Sequence, residues 1–270
     1  MLGVTIFPTF YALILSFFRW EYILPGRPFV GLSNYIGIFR DTRYWAAIGH
    51  TLLIVAGAVS LEFTLGFLLA NTLVEEIRGK RYFITALVLP VMVLPIVCGY
   101  TWRLLLDAQY GPINQIIGFL MGKPYFHFPW LSFTRTAYLS IIITDVWEWT
   151  PFTFLVLLAG LTSLPVDVYE ASVIDGTSSW QQFRYLTLPL LKPIIIVVLL
   201  FRGLECFKMF DILFALTRGG PGKTTETICL YIYRIGFQYF RMGYTAAGAV
   251  ILLLIVFGVV ALALVRVVEK

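Results

Sequence analysis

Charge is what this sequence has least of. Lysine and arginine number 20 and aspartate and glutamate 15 among 270 residues, so 13% are charged, where a soluble domain carries roughly 25%. That shortage excludes an ordinary water-soluble fold. Histidine is scarcer still: His50 and His127 stand alone and no HExxH run occurs, which excludes the paired-histidine zinc helix of metalloproteases. Cys98, Cys206 and Cys229 are far apart without CxxC spacing, so neither a disulfide framework nor a cysteine zinc site is indicated, and they read as packed, inert thiols. No GxSxG elbow is present. No catalytic residue and no metal ligand set is therefore expected. The basic residues are scattered rather than clustered, a pattern that suits loops beside anionic lipid headgroups and not a nucleic-acid surface.

Apolar residues make up 59% of the chain and aromatic ones 17%. They gather into six runs, at about 1–18, 51–74, 82–106, 137–160, 189–214 and 244–266, each near the ~20 residues that cross a bilayer as helix. The expected fold is all-α: a polytopic membrane protein of about six transmembrane helices, one domain over 1–270. Six crossings put both termini on one side of the bilayer. The opening run "MLGVTIFPTFYALILSFF" lacks the basic start and cleavage site of a signal peptide. It is barely long enough to span, which implies a thin, tilted helix or further natural sequence before Met1.

Charge gives a divided answer on orientation. Arg78, Lys80 and Arg81 crowd the short loop "EEIRGKR", which argues that this loop is cytoplasmic. The same side then receives Arg184, Lys192, Arg266 and Lys270, seven basic residues in all, and the other thirteen lie elsewhere. The count opposes the cluster; the rule is strongest for short loops, and the cluster is preferred.

The loop 161–188 is more informative. Within "TSLPVDVYEASVIDGTSSWQQFRYLTLPLLKP", Pro165 suits a first helical turn and Asp167 faces the positive end of the helix dipole. Gly176 is a C-terminal stop able to take positive φ. Ser179 and Gln182 stand at capping-box spacing for a second helix, with Ser178 and Gln181 as the other register. Pro189 and Pro193 mark the start of the fifth span. From the residues alone, the loop can be merely a well-capped connector. A DNA-reading helix-turn-helix is set aside, because its second helix has Arg184 as its sole base and is tethered between two spans.

Glu170-Ala171-Ser172, then Gly176, Leu186 and Leu188-Pro189, resembles the "EAA…G…I-LP" signature of transmembrane subunits of binding-protein-dependent ABC importers. The context resembles the carbohydrate branch, which includes maltose and glycerol-3-phosphate systems. So do "FVGLSNY" (29–35), "YGPIN" (110–114), "DVWEWTPF" (145–152), "LAGLTSLP" (158–165), "FDILFALTRGGPG" (210–222) and "GYTAAGAV" (243–250). Ser172 departs from an alanine and Leu186 from an isoleucine; His50-Thr51 stands where an Asn-Thr pair is common. The resemblance implies a cytoplasmic coupling helix between the fourth and fifth spans that docks on a separate ATPase. Glu170 would contact the ATPase, Gly176 would make the turn, Ala171 and Ser172 would permit close approach, and Asp175 belongs to the same ATPase-coupling set. It further implies a second, homologous permease subunit, two ATPase subunits forming a homodimer, an extracytoplasmic solute-binding protein, and residence in a bacterial or archaeal cytoplasmic membrane with both termini cytoplasmic. No cofactor is expected on this chain; Mg-ATP belongs to the partner ATPase.

Ionisable groups within spans cost about 2.5–3.5 kcal/mol each on insertion scales and call for pairing or a cavity. Glu62 lies in the second run. Asp145 and Glu148 share a face of the fourth, among Trp147 and Trp149. These four, with Tyr100 and Trp102 of the third run, fit two readings: a substrate pathway, since sugars need hydroxyl partners and flat apolar faces, or core packing. Arg202, Glu205, Lys208 and Asp211 alternate in sign at steps of three, which predicts a self-paired stripe facing protein or water. Pro90, Pro95 and Pro151 invite kinks. "GGPGKTTE" imitates a phosphate-binding P-loop, but the first required glycine falls on Thr217, so ATP is not expected here. The competing function is a stand-alone proton-coupled secondary transporter using Glu62 or Asp145; it leaves the 161–188 loop without a role.

Overall fold

The computed structural model describes residues 2–75, 78–123 and 126–268, with side chains over 6–75, 78–123 and 126–261. Met1 and Lys270 at the expected domain limits, the Arg266 side chain, and Glu76 and Ile77 of the basic loop lie outside that description. Among the described residues the structure is helical, relieved by one β-bridge between Phe18 and Phe29.

Among the described residues three helices are long and apolar enough to cross a bilayer: α3, counting α1 (Leu2–Leu15) and α2 (Ser33–Phe39) before it, at Thr42–Leu73; α7 (Thr134–Thr162), which follows α4 (Lys80–Val88), α5 (Pro95–Leu105) and α6 (Pro112–Leu120); and α13 (Met242–Val268). Between α7 and α13 come α8 (Val166–Ile174), α9 (Ser179–Gln182), α10 (Leu188–Phe207), α11 (Asp211–Leu216) and α12 (Ile228–Tyr233). A fourth span is formed if α4 and α5 count as one. They meet at a 96° bend, where Val93 and Leu94 are extended before Pro95. The residue before a proline is driven out of the helical region, so the kink expected at Pro95 is a full break, whereas Leu89 before Pro90 stays helical and the chain passes Pro90 in a single tight turn, Leu89–Met92. Pro151 lies inside α7 without ending it. The chain is thus an all-α, multi-pass membrane protein with three to four clear membrane-spanning helices.

Two boundaries differ from the periodicity. α3 begins nine residues before the expected 51, because Asp41 caps it: its carboxylate accepts from the backbone N–H groups of Arg43 at 2.9 Å and Tyr44 at 3.2 Å. The fifth run ends at Phe207 rather than 214, and α11 resumes after the break at 208–210. α1 has 14 residues, about 21 Å of helix at ~1.5 Å per residue, short of a ~30 Å hydrocarbon core.

Burial makes α7 the central helix: two thirds of its most apolar window is covered (67%), against 22% for α3 and α13. Two apolar layers follow its length and a third, to which α7 contributes no residue, packs elsewhere in the bundle. One holds Ala70, Phe154, Leu157 and Leu191 at the 161–188 end; another holds Ile54, Ala58, Ile141, Val146 and Cys206. The last lies at the far end, around Ile38, Tyr44, Ile228 and Ala247. Glu62, Glu148 and Arg202 are buried between the first two in chain position on α3, α7 and α10, and Asp145 is buried beside them within the second. A charged sheet thus crosses an otherwise apolar bundle.

Candidate functional site

The 161–188 loop folds as helix, glycine turn, helix. α8 ends where Asp175 N–H donates to Ala171 O and Gly176 N–H to Val173 O, both at 3.0 Å. Gly176 sits at φ +74° with open space around it, so the backbone conformation, not crowding, requires glycine. The capping box uses Ser178 and Gln181, not the Ser179–Gln182 pair. The reason is visible in the side chains: Gln182 is occupied elsewhere, donating its amide to Ser172 Oγ at 3.0 Å.

That contact gives Ser172 a role of its own. Its hydroxyl donates to Tyr169 O at 2.7 Å while accepting from Gln182, and Tyr169 shares a 2.8 Å hydrogen bond with Thr187. Two side-chain links therefore tie α8 to α9 and to the π-helical turn Phe183–Thr187 that runs into α10. Trp180 packs on Phe183, and Phe183 on Phe67 of α3. The outer surface is left open: Glu170, Ala171 and Asp175 are exposed, as are Val166, Val173, Ile174 and Trp180.

The residues proposed from the spans do not converge on one place. Asp145 is buried against Arg202, whose Nη2 donates to Asp145 Oδ2 at 3.0 Å. Trp149 is half-buried with the Arg202 guanidinium 4.5 Å from its ring centre. Glu148 is buried with Oε2 lacking a hydrogen-bond partner. Trp147 is exposed and meets Trp102 edge-on at 6.1 Å; Tyr100 is exposed on α5. Two steps along a helix turn a side chain by about 200°, so Trp147 and Trp149 cannot face one cavity.

The charged stripe on the fifth span is self-paired only at Glu205 and Lys208. Arg202 reaches across the bundle to Glu62 in a fork, Nε to Oε2 at 2.6 Å and Nη2 to Oε1 at 2.8 Å. Lys208 alone keeps a partner on its own helix, Glu205 at 2.8 Å. A fully buried carboxylate competes better for a guanidinium than a half-exposed one, since water satisfies the second and not the first.

Beside this network lies a cleft of about 180 Å³, lined by Pro95, Asp145, Trp149, Arg202, Glu205 and Lys208 and closed by residues 209–212. Both interrupted spans meet there. α11 packs on α5 so closely that a Cβ at Gly99 would fall 2.7 Å from Ala215 Cβ and 3.0 Å from Ile212 O. Irregular backbone at membrane depth is tolerated where it lines a cavity.

Sequence reading missed a second ionic centre at the opposite end from 161–188. Buried Glu226 receives a forked pair from Arg43, both contacts at 2.7 Å, and a third from Arg234. His50 Nδ1 lies 3.2 Å from Glu226 O. Tyr138 donates to Thr224 O at 2.6 Å. The P-loop-like stretch is therefore a loop nailed to α3, α7 and the turn Arg234–Gln238 that follows α12. Burial works to raise the Glu226 carboxyl, and the hydrogen bonds and charges of Arg43 and Arg234 outweigh it, holding it below its ordinary value. A lowered folded value adds stability above the ordinary carboxylate range, and this is lost as pH falls through the lowered value. Glu226→Gln is expected to destabilise by about 1.5–3 kcal/mol at pH 7. Melting curves between pH 7 and pH 3.5 check it: the native chain should lose more than the variant and approach it.

Fold and site define a polytopic membrane subunit with an externally open two-helix loop and a cleft between broken spans. Residues 65–270 match the binding-protein-dependent transport system inner membrane component family, and the chain belongs to that family: it is a permease subunit of an ABC importer. It is 42% identical over 249 residues to the probable ABC transporter permease protein y4oQ of Sinorhizobium fredii, covering 92% of this chain and 78% of that one. It is 38% identical over 240 residues to the trehalose/maltose transport system permease protein MalF of Thermococcus litoralis, covering 89% and 79%. In fold it is similar to a chain of the crystal structure of a bacterial alginate ABC transporter in complex with an alginate pentasaccharide-bound periplasmic protein. That match has a TM-score of 0.82 and 21% identity, over 97% of this chain and 88% of the other.

Proposed function

We propose that this chain is one of two non-identical permeases of an importer that moves a carbohydrate, or a related polyol or sugar phosphate, by alternating access. The chain is a single transmembrane domain over 1–270 with six crossings, α1 and α10 included, and with both termini and the 161–188 loop in the cytoplasm. Its partners are a homologous permease, an ATPase pair and an extracytoplasmic solute-binding protein that meets the 217–227 loop. The trehalose/maltose relative supports a carbohydrate cargo.

The observation that carries the reading is the continuity from loop to cleft. Glu170 and the apolar face of Val166, Val173 and Ile174 are open to a partner. Behind them, Ser172, Gln182, Tyr169 and Thr187 hold the loop as one body. That body runs through the π turn into α10, which carries Arg202 and one wall of the cleft. Closure of the ATPases moves α8, and α10 carries the motion to Asp145 and Trp149. Ala171 and Ser172 leave room for the ATPase surface, Asp175 and Gly176 end the helix, and Glu170 supplies a charge for it. Glu148, Tyr100, Trp102 and Trp147 border the pathway. A cleft of 180 Å³ is below the roughly 300–1,000 Å³ that encloses a small-molecule ligand, so the sister permease supplies the rest.

Recovery of the tagged chain from native membranes tests this. A second permease and an ATPase should come with it, with ATP hydrolysis in the eluate. Glu170→Lys should leave membrane insertion intact and lower ATP-linked uptake by about tenfold or more, since reversing a contact charge costs on the order of 2 kcal/mol or more. Normal uptake by an assembled Glu170→Lys complex would remove the coupling role.

A further inference from the structure

Resting on the reading of this cleft as part of the substrate pathway, we propose that it accepts an uncharged sugar unit and turns away anionic ones, sugar phosphates and uronates included. Three carboxylates line it, Asp145, Glu205 and Asp211, against two cations, Arg202 and Lys208. Neither cation is free. Arg202 gives Nε and Nη2 to Glu62 and Nη2 also to Asp145, and Lys208 is held by Glu205. Glu62, directly behind Arg202, adds a fourth carboxylate that is buried. The cleft therefore has a negative excess, focused by low-dielectric walls.

Hydrogen-bond chemistry points the same way. An ionised carboxylate only accepts, so its ligand must bring donors. Each sugar hydroxyl brings one. A phosphate at neutral pH brings a charge of about −1.5 to −2 and acceptor oxygens, and would set acceptor against acceptor. The remaining surface, from Pro95, Trp149, Met209, Phe210 and Ile212, is apolar and suits the C–H faces of a ring. Rejection of the wrong ligand by unpaired like charge is a recognised source of specificity.

The test is equilibrium binding to the whole importer, purified through a tag on this chain and held in lipid nanodiscs without its solute-binding protein, which would impose its own selection. The probes are trehalose and maltose, and their anionic counterparts trehalose 6-phosphate and maltobionate. The expected result is a neutral sugar bound at least tenfold more tightly than its anionic counterpart. Glu205→Gln with Asp211→Asn removes two negative charges and frees Lys208, and should reduce that ratio at least tenfold. An anionic probe bound as tightly as the neutral one in the native importer overturns the inference and leaves the pathway reading standing. So does a ratio unchanged in the double variant. Binding of neither kind overturns both.

Discussion

Arg202→Met is expected to cost the folded chain about 3–5 kcal/mol and to remove uptake with it. The guanidinium is the shared partner of Glu62 and Asp145, contributed by three helices and all but completely buried. Removing it strands two carboxylates in the bundle, and the penalty is that of uncompensated buried charge rather than of the lost attraction. The triple replacement Arg202→Met, Glu62→Met and Asp145→Leu separates the two. With no stranded ion left, most of the stability should return, because well-packed apolar groups replace buried ion pairs at little net cost. Uptake should remain defective, since Asp145 and Arg202 line the cleft. Unfolding of the purified importer in graded denaturant, beside uptake in vesicles, reads both quantities. A single variant as stable as the native chain would show that water reaches the carboxylates and that the layer is not sealed.

The helical, many-pass character of the chain was legible in composition and run length, because a bilayer demands length and apolarity of each span. The stop at Gly176 was legible for a local reason too, since one residue and its positive φ decide it. Long-range pairing was not legible. Arg202 and Glu62 are separated by 140 residues and Arg43 and Glu226 by 183, and helical periodicity ranks partners three residues away ahead of either. It thus assigned Arg202 to Glu205, although a mid-span glutamate at 62 was itself the sign that a cation must come from another helix. The same limit explains the scatter of the pathway residues. "DVWEWT" places aromatic and acidic groups on successive positions, but a helix sends them in different directions, and only Asp145 and Trp149 reach the cleft. The sequence left two capping registers open, and one side chain decides for Ser178 and Gln181: the destination of Gln182 is Ser172, a tertiary contact within the loop.

Gly176 offers the sharpest test of whether that loop transmits motion as a body. Its φ of +74° is closed to proline, whose ring fixes φ near −65°. Proline would also delete the N–H that bonds Val173 O. The turn would open, and with it the relation of α8 to the capped α9. Gly176→Pro is therefore expected to lower ATP-linked uptake at least ~100-fold, the equivalent of the ~3 kcal/mol a misplaced proline costs. Insertion and pairing with the sister permease should persist, because the turn touches no core layer. Two further substitutions identify the cause. A Cβ at Gly176 meets nothing within 4 Å, so alanine carries only the left-handed backbone cost of about 1–2 kcal/mol and should transport within roughly tenfold of the native chain. Asparagine, which tolerates that conformation best among side-chain-bearing residues, should transport better than alanine. If asparagine fails as completely as proline, the glycine is required for the closeness of a docked partner rather than for the turn. If all three transport normally, the loop bends without consequence, and force must enter the spans elsewhere.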